Sequence, residues 1–147
     1  STFRIAEPYL QAYGKTVAHV GPSGSGYRMK LANQIGVVGA LFGLCESLAF
    51  ARKCGLDLPL THKLLAGGAA GSWAFDNYGP KILKNDWSPG FSIQNQLKDL
   101  RYCLEVAGEH KMALRLTALS AEILQLMLEE GRGEEATAAM FEKLLEI

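Results

Sequence analysis

The sequence has few cysteines, and their arrangement suggests neither a disulfide framework nor a metal site. Cys45, Cys54 and Cys103 are odd in number and widely spaced, whereas secreted domains stapled by disulfides carry even numbers of cysteines. The three histidines show no metal-ligand spacing either. We therefore expect reduced thiols, no metal centre and a cytoplasmic location.

The sequence also lacks an excess of charge of either sign. Lys plus Arg and Asp plus Glu both number 15, so no global field attracts nucleic acid or an anionic membrane. We find no signal or transit peptide and no charge-free run of about 18 apolar residues. We expect a soluble protein without a nucleic-acid or membrane partner. The 147 residues, 48% of them hydrophobic, suffice for one domain with a substantial core.

Strand-like alternation of apolar and polar residues is absent after Val20. Before that point, Ser1–Ala12 resembles the end of a helix, and Lys15–Val20 is a short β-like run. One strand cannot form a sheet. The run either pairs with another chain or belongs to a domain that precedes this sequence.

Helical periodicity fills most of the remaining chain. Ser25–Cys54 is one continuous helical pattern closed by Gly55, and about 30 residues span roughly 45 Å of helix. After a linker at Leu56–Pro59, further helical patterns cover Thr61–Ala66, Ser72–Tyr78, Pro80–Leu83, Ser92–His110, Leu114–Glu130 and Glu134–Glu146. The sequence predicts an all-α, multi-helix bundle with one very long helix, preceded by the short strand.

The long helix carries two different faces. Its apolar stripe consists of Ile35, Val38, Leu41, Phe42, Cys45, Leu48 and Ala49. A second stripe consists of the small residues Gly36, Gly39, Ala40, Gly43 and Ser47. Because each glycine costs about 1 kcal/mol in a helix interior, the small-residue stripe predicts close approach of another backbone rather than a hinge.

The glycine-rich loop before the long helix is the first candidate site. Gly21, Gly24 and Gly26 have the spacing G-x-x-G-x-G, which differs from the dinucleotide fingerprint G-x-G-x-x-G. On these residues alone, the loop is either a flexible turn between domains or backbone that can approach a ligand closely.

A group of polar residues follows the loop on one helix face. Lys30, Asn33 and Gln34 stand at i, i+3 and i+4, and side chains at those offsets point the same way. A partly buried lysine loses its charge more readily and can serve as an acid or base near neutral pH. The alternative is an ordinary surface lysine beside two amides that serve packing.

A second candidate group combines the aromatic Phe91 with the charged pair Lys98 and Asp99. Phe91 stands at the mouth of the loop Asp86–Gly90, just before a helix. Lys98 and Asp99 lie off the leucine stripe of that helix. The sequence pattern alone is equally consistent with Lys98 and Asp99 being a solvent-exposed pair of charges without a ligand.

Three ordered motifs together resemble the β-hydroxyacid dehydrogenase family. Gly21–Gln34 resembles its signature G-x-x-G-x-G-x-x-x-K-x-x-N-[NQ], and Glu46–Asp57 is similar to E-A-L-x-L-A-x-K-x-G-[LV]-D. Pro89–Leu100 is similar to the family's P-x-F segment followed by K-D-L. The family includes 3-hydroxyisobutyrate dehydrogenase and tartronate semialdehyde reductase, with a C-terminal domain like that of 6-phosphogluconate dehydrogenase.

The resemblance implies a role for the polar face of the long helix. Lys30 would be the catalytic lysine, which protonates a carbonyl oxygen during reduction or takes the hydroxyl proton during oxidation. Gly24, Asn33 and Gln34 would lie at the bound substrate, a small hydroxy acid or semialdehyde. The family usually has Asn where Gln34 stands, which is a mild departure.

The resemblance also implies a cofactor, NAD or NADP. Phe91 would pack near the nicotinamide, Lys98 would contact the cofactor and Asp99 would help to order the site. Most of the cofactor would bind to an N-terminal Rossmann domain carrying G-x-G-x-x-G, which the 147 residues do not supply.

We therefore expect residues 1–20 to be the tail end of a Rossmann domain. Residues 21–147 would be the helical C-terminal domain, which binds substrate and builds a homodimer or a higher homo-oligomer. This piece alone is expected to be inactive, since hydride transfer requires a positioned cofactor. The alternatives are a non-catalytic dimerisation or ligand-binding module of the same fold, and a generic helical protein without a ligand site.

Overall fold

The computed structural model of the protein describes residues 2–147, and its regular structure is helical. Seven α-helices follow one another: α1 (Thr2–Gln11), α2 (Ser25–Lys53), α3 (Leu58–Ala66), α4 (Trp73–Leu83), α5 (Ile93–Glu109), α6 (Arg115–Glu129) and α7 (Met140–Glu146). A 3₁₀ turn, Thr137–Ala139, precedes α7. The predicted all-α bundle with one very long helix is confirmed.

The strand predicted at Lys15–Val20 is absent from the described residues. Residues 15–20 form no strand, and between residues 2 and 147 one isolated β-bridge joins Ser92 to Ala136. A strand is held by hydrogen bonds to a neighbouring strand, and the described residues contain no second strand. The helix expected at Ser1–Ala12 is present as α1, with Ser1 outside the described residues.

The core of the bundle is built around α2. This helix packs against α3, α4, α5, α6 and α7. Leu41, Leu44 and Leu48 are fully buried along it. Burying each of these side chains stabilises the fold by roughly 1.5–3 kcal/mol. Of the predicted apolar stripe, only Ile35 stays half-buried. The burial of this stripe explains why a helix of 29 residues forms here.

Length and composition would also allow α2 to cross a membrane. Its most apolar 18-residue window has a mean hydropathy of 1.6, and half of that window is buried inside the bundle. The core helix of a globular bundle meets the same two criteria, because its apolar residues cover other helices instead of lipid.

The small-residue stripe of α2 does not meet another backbone within the described residues. A Cβ added to Gly36 or Gly43 would have no neighbour within 4 Å, and one added to Gly39 would touch only the side chain of Leu116 at 3.5 Å. The predicted close approach of a second backbone is therefore wrong within residues 2–147. The stripe is an open face of the bundle.

The start of α3 corrects the predicted linker at Leu56–Pro59. The helix begins at Leu58, because the Asp57 carboxylate caps it by accepting a hydrogen bond from the Leu60 amide at 2.7 Å. Pro59 stands in the first turn, where its missing N–H costs nothing. The sequence has this capping signal, and the prediction missed it.

The two short helices predicted on either side of Gly79 form a single helix, α4, with Pro80 inside it. The contact with α3 explains why α4 continues. His62 Nε2–H donates to the Phe75 carbonyl at 2.8 Å, and Gly79 is buried against the imidazole. A Cβ on Gly79 would lie 2.1 Å from His62 Nε2, so the glycine lets the two helices pack closely.

The loop between α4 and α5 is organised by Asp86. Its carboxylate accepts hydrogen bonds from the Ser88 hydroxyl and from the Ser88 amide, the latter at 3.0 Å, and lies 3.8 Å from Lys81 Nζ. The Ser88 hydrogen bonds, followed by the Lys81 charge, hold the pKa of Asp86 below its ordinary value. This loop brings Phe91 to the start of α5.

Candidate active site

Two glycines with left-handed backbone turn the chain into α2. Gly21 has a φ of 135°, and Gly24, the N-cap residue of α2, has a φ of 90°. A Cβ on Gly24 would meet nothing within 4 Å, so the backbone angle and not the available space calls for glycine there. The turn fixes the direction in which the first turns of α2 present their side chains.

Lys30, Asn33 and Gln34 share one face of α2, as the spacing predicts. Lys30 Nζ donates to Gln34 Oε1 at 2.9 Å, and Asn33 Nδ2 approaches the same oxygen at 3.4 Å. Gln34 is buried while Lys30 is exposed. Residues 2–147 therefore do not provide the partial burial of Lys30 that the sequence suggested, although the ammonium is held by an amide.

A hydrogen bond connects this face to α5. Gln34 Nε2 donates to Asp99 Oδ2 at 2.6 Å, and Asp99 Oδ1 lies 3.4 Å from Lys98 Nζ. The Lys98 side chain is 56% exposed, so water weakens its ion pair with Asp99. Two ammonium groups and one carboxylate leave the site with a net positive charge, which favours an anionic ligand.

A cavity of about 620 Å³ opens on the same face, between α2, α4 and the start of α5. It is lined by Lys30, Asn33, Gln34, Gly36, Val37, Ala40, Trp73, Ala74, Tyr78 and Phe91. The polar groups come from the first turns of α2, the small residues from its next turns, and the aromatic rings from α4 and the loop before α5. A cavity of this size accepts a small organic molecule.

Most of the residues predicted for the site come together here. Lys30, Asn33, Gln34 and Phe91 line the cavity, and Asp99 is one hydrogen bond away from it. Lys98 reaches the group only through Asp99. The N-cap Gly24 is not among the lining residues, and its contact with a substrate stays a prediction.

Trp73 and Tyr78 line the cavity and were not predicted. Their rings meet edge to face, with centroids 5.4 Å apart. The signal for them is weak, because two aromatic residues on a short amphipathic helix are equally typical of a core. The sequence pattern indicates Gly36 and Ala40 only as small residues and does not predict that they line the cavity.

A buried thiol, Cys103, lies between α5 and α2 next to the polar residues. Cys103 on α5 is 2% exposed and donates weakly to the Leu31 carbonyl, with 3.5 Å between sulfur and oxygen. Burial, followed by the negative charge of Asp99, raises the pKa of the Cys103 thiol. The thiol is therefore protonated and unreactive at neutral pH.

Within residues 2–147, no three side chains of His, Cys, Asp or Glu gather as a metal site would require. The chemistry of the cavity rests instead on one ammonium group, two amides and one carboxylate. These groups can bind a carboxylate, orient a hydroxyl or carbonyl oxygen and exchange a proton with it.

A known family matches most of the chain. The family described as "NAD-binding of NADP-dependent 3-hydroxyisobutyrate dehydrogenase" matches residues 24–144. The chain belongs to the 3-hydroxyisobutyrate dehydrogenase family. This confirms the resemblance to the β-hydroxyacid dehydrogenases that the three sequence motifs suggested.

Members of the 3-hydroxyisobutyrate dehydrogenase family with related sequences come from plants and bacteria. A probable 3-hydroxyisobutyrate dehydrogenase-like protein of Arabidopsis thaliana, named as mitochondrial, is 37% identical over 95% of this chain and 42% of its own length. The 2-hydroxy-3-oxopropionate reductase of Escherichia coli is 31% identical over 98% of this chain and 49% of its own length. The chain thus spans about half the length of these relatives.

Solved structures support the same fold. A 3-hydroxyisobutyrate dehydrogenase from Salmonella typhimurium superimposes with a TM-score of 0.88 at 22% identity, covering 95% of this chain and 50% of that one. The Mycobacterium tuberculosis 3-hydroxyisobutyrate dehydrogenase, solved with L-serine, gives a TM-score of 0.86 at 23% identity, covering 97% of this chain and 51% of that one. At these identities the similarity shows the helical fold alone.

Proposed function

We propose that this chain is the C-terminal domain of an NAD(P)-dependent oxidoreductase. The enzyme would transfer a hydride between the nicotinamide cofactor and a small β-hydroxyacid or semialdehyde, and Lys30 would donate or accept the proton. The observation that carries the proposal is the position of the Lys30 ammonium, which faces the cavity and is held at 2.9 Å by Gln34 Oε1.

In the direction of reduction, a nicotinamide cofactor would supply, when bound, the hydride that the carbonyl carbon accepts. Lys30 gives its proton to the carbonyl oxygen as negative charge develops there, and solvent protonates the lysine again. In oxidation, the neutral amine takes the hydroxyl proton. General acid–base catalysis of this kind contributes roughly 10²–10⁴-fold to a rate, provided that the ammonium is within hydrogen-bond reach of the substrate oxygen.

The remaining site residues would bind and orient. Asn33 and Gln34, which line the cavity with Lys30, would hold the substrate beside it, and Gly24 would lie close to the substrate through the glycine turn. For the nicotinamide, the Phe91 ring gives the cavity a flat apolar wall, which fits a planar ring. The exposed Lys98, which pairs with Asp99, would contact the cofactor, and Asp99 would help to order the site.

The domain boundaries follow from the same proposal. Residues 1–20 would complete a Rossmann domain, which binds most of the cofactor, and residues 21–147 would form the substrate and dimerisation domain. This division is supported by α1, which buries none of its residues against the bundle. The matched share of the relatives, about half of their length, agrees with it.

A homodimer or higher homo-oligomer would form through the open faces of α2 and α3. Phe50 on α2 is 68% exposed, and Leu60 and Leu64 on α3 are 54% and 65% exposed. Large apolar side chains exposed next to one another mark interaction surfaces. A cytoplasmic location would suit the three free cysteines, Cys45, Cys54 and Cys103.

The test uses the enzyme extended upstream in its reading frame. A G-x-G-x-x-G loop roughly 150 residues before Lys30, the size of one further domain, is the first expectation. Turnover is then measured on a panel of small hydroxy acids and semialdehydes with NAD and with NADP. Lys30→Ala should lower turnover by roughly 10²–10⁴-fold, and Lys53→Ala, on the same helix but far from the cavity, should leave it unchanged.

Near-normal turnover of folded Lys30→Ala would refute the catalytic role. Binding of substrate without any turnover in the extended native protein would instead favour the non-catalytic module. The 147-residue chain by itself is expected to show no turnover with either cofactor.

A further inference from the structure

Within residues 2–147, Gln34 connects the ammonium of Lys30 to a second helix, α5. Its Oε1 accepts from Lys30 Nζ at 2.9 Å, and its Nε2 donates to Asp99 Oδ2 at 2.6 Å. The amide is 4% exposed, so water competes little for either end. The two bonds are made by opposite ends of one rigid planar group.

The charges on either side permit only one orientation of this amide. A carboxylate only accepts hydrogen bonds and an ammonium only donates them. If the amide were rotated by half a turn, its NH₂ would face the Lys30 ammonium and its oxygen would face the Asp99 carboxylate. Both charge-assisted hydrogen bonds would be replaced by repulsive contacts.

We infer that Asp99 is a positioning residue for Lys30 and acts through Gln34. The Asp99 carboxylate holds the Gln34 amide so that the amide oxygen points toward Lys30. That oxygen then holds the Lys30 ammonium in place. Without Asp99, only the contact with Lys30 orients the Gln34 amide, and Lys30, an exposed side chain with four rotatable methylene groups, is held less firmly.

The same geometry restricts what Gln34 can offer a ligand. Lys30 and Asn33 occupy its oxygen, at 2.9 and 3.4 Å, and Asp99 occupies one of its two N–H groups. One N–H remains. Gln34 therefore contacts a ligand as a donor only, and the group it holds is an oxygen acceptor such as a carboxylate.

This inference rests on the proposed function for its catalytic consequence, while its structural part can be tested in the 147-residue chain. The first arm uses nitrogen-15 NMR of the chain. Held by Gln34, the Lys30 ammonium should exchange slowly enough with water to give a resolved signal at low temperature. Asp99→Asn, which replaces the charge-assisted hydrogen bond to Gln34 with a weaker neutral one, should broaden or remove that signal, and Glu105→Gln, an exposed acid on the same helix, should not.

A reciprocal pair of substitutions gives the sharpest comparison. Gln34→Glu places two carboxylates against each other, and their repulsion should displace the new carboxylate from its native position and so weaken or remove the ammonium signal. In the double variant Gln34→Glu/Asp99→Asn, the new amide donates to the new carboxylate, which accepts from Lys30 as the native oxygen does. The signal should return in the double variant, and thermal unfolding of all four proteins shows whether each is folded.

The second arm measures turnover in the upstream-extended enzyme. Asp99→Asn and Gln34→Glu should each lower kcat roughly 10- to 100-fold, the loss expected for a hydrogen bond to a charged group. KM for the cofactor should stay unchanged. The double variant should recover most of kcat. A purely structural role would lower thermal stability and leave kcat of the folded enzyme unchanged.

The outcomes separate the two proposals. If Lys30→Ala keeps native turnover, the proposed function fails, and the NMR arm still decides whether Asp99 positions the ammonium. If Lys30→Ala abolishes turnover while both single variants keep the native signal and kcat, or the double variant recovers neither, the positioning role of Asp99 is overturned by itself.

Discussion

Replacing Gly79 with alanine should destabilise the bundle by forcing α3 away from α4. The new Cβ would lie 2.1 Å from His62 Nε2, so the imidazole must move by more than an ångström. Overpacking of this kind costs roughly 1–3 kcal/mol, and the lost hydrogen bond to the Phe75 carbonyl adds roughly 0.5–1.5 kcal/mol. Alanine gains about 1 kcal/mol in the helix interior. The net loss is about 2 kcal/mol.

Thermal unfolding followed by circular dichroism measures this loss. For a chain of this size, about 2 kcal/mol corresponds to a fall in Tm of roughly 4–8 °C. Gly108→Ala is the matched control, because a Cβ at that helical position meets nothing within 4 Å. That variant should raise stability by up to about 1 kcal/mol.

The double variant Gly79→Ala/His62→Ala identifies the cause. Without the imidazole, the step from glycine to alanine at position 79 should become neutral or stabilising. The reasoning is refuted if Gly79→Ala lowers stability equally with and without His62. It is also refuted if the single variant is as stable as the native chain.

Three further predictions concern the core, the thiols and the acid side of the stability curve. Leu44→Ala should cost about 2–5 kcal/mol in urea unfolding, because the side chain is fully buried; a loss below about 1 kcal/mol would contradict its core position. A thiol reagent should label exposed Cys54 rapidly and buried Cys45 and Cys103 only after unfolding, since burial raises the pKa of both thiols; rapid labelling of two sites would contradict this. Because the folded pKa of Asp86 lies below its ordinary value of 3.8, its contribution is present above that pH and lost as the pH falls through the folded pKa. Asp86→Asn should therefore lower the free energy of unfolding above pH 3.8 and converge with the native chain as the pH falls through the folded pKa of Asp86, and parallel curves would contradict the assignment.

The sequence predicts the helices and the polar face of α2 well, because both depend on local periodicity. Lys30, Asn33 and Gln34 had to share a face once Ser25–Cys54 was helical. The strand predicted at Lys15–Val20 is absent from the described residues because it depends on more than local periodicity. Whether Lys15–Val20 is a strand depends on a partner outside its own residues, and its apolar alternation carries no information about that partner.

The long-range part of the site is beyond local pattern. The hydrogen bond between Gln34 and Asp99 joins residues 65 positions apart, and only the packing of α2 on α5 brings them together. Trp73 and Tyr78 were missed because an aromatic ring facing a cavity and one facing a core have the same helical spacing. The position of Phe91 after the loop Asp86–Gly90 singles it out in the sequence, the family resemblance gives it a role, and it lines the cavity with them.

The helix that carries the polar face is also the axis of the fold, and this limits how the site can move. From Leu31 onward, α2 packs against α3, α4, α5, α6 and α7. The helix therefore cannot move away from its neighbours without disrupting the hydrophobic core. The backbone amides around Gln34 should therefore exchange with deuterium only when the whole bundle unfolds. We therefore expect any movement at the cavity to occur in the segments around α2 and not in α2 itself.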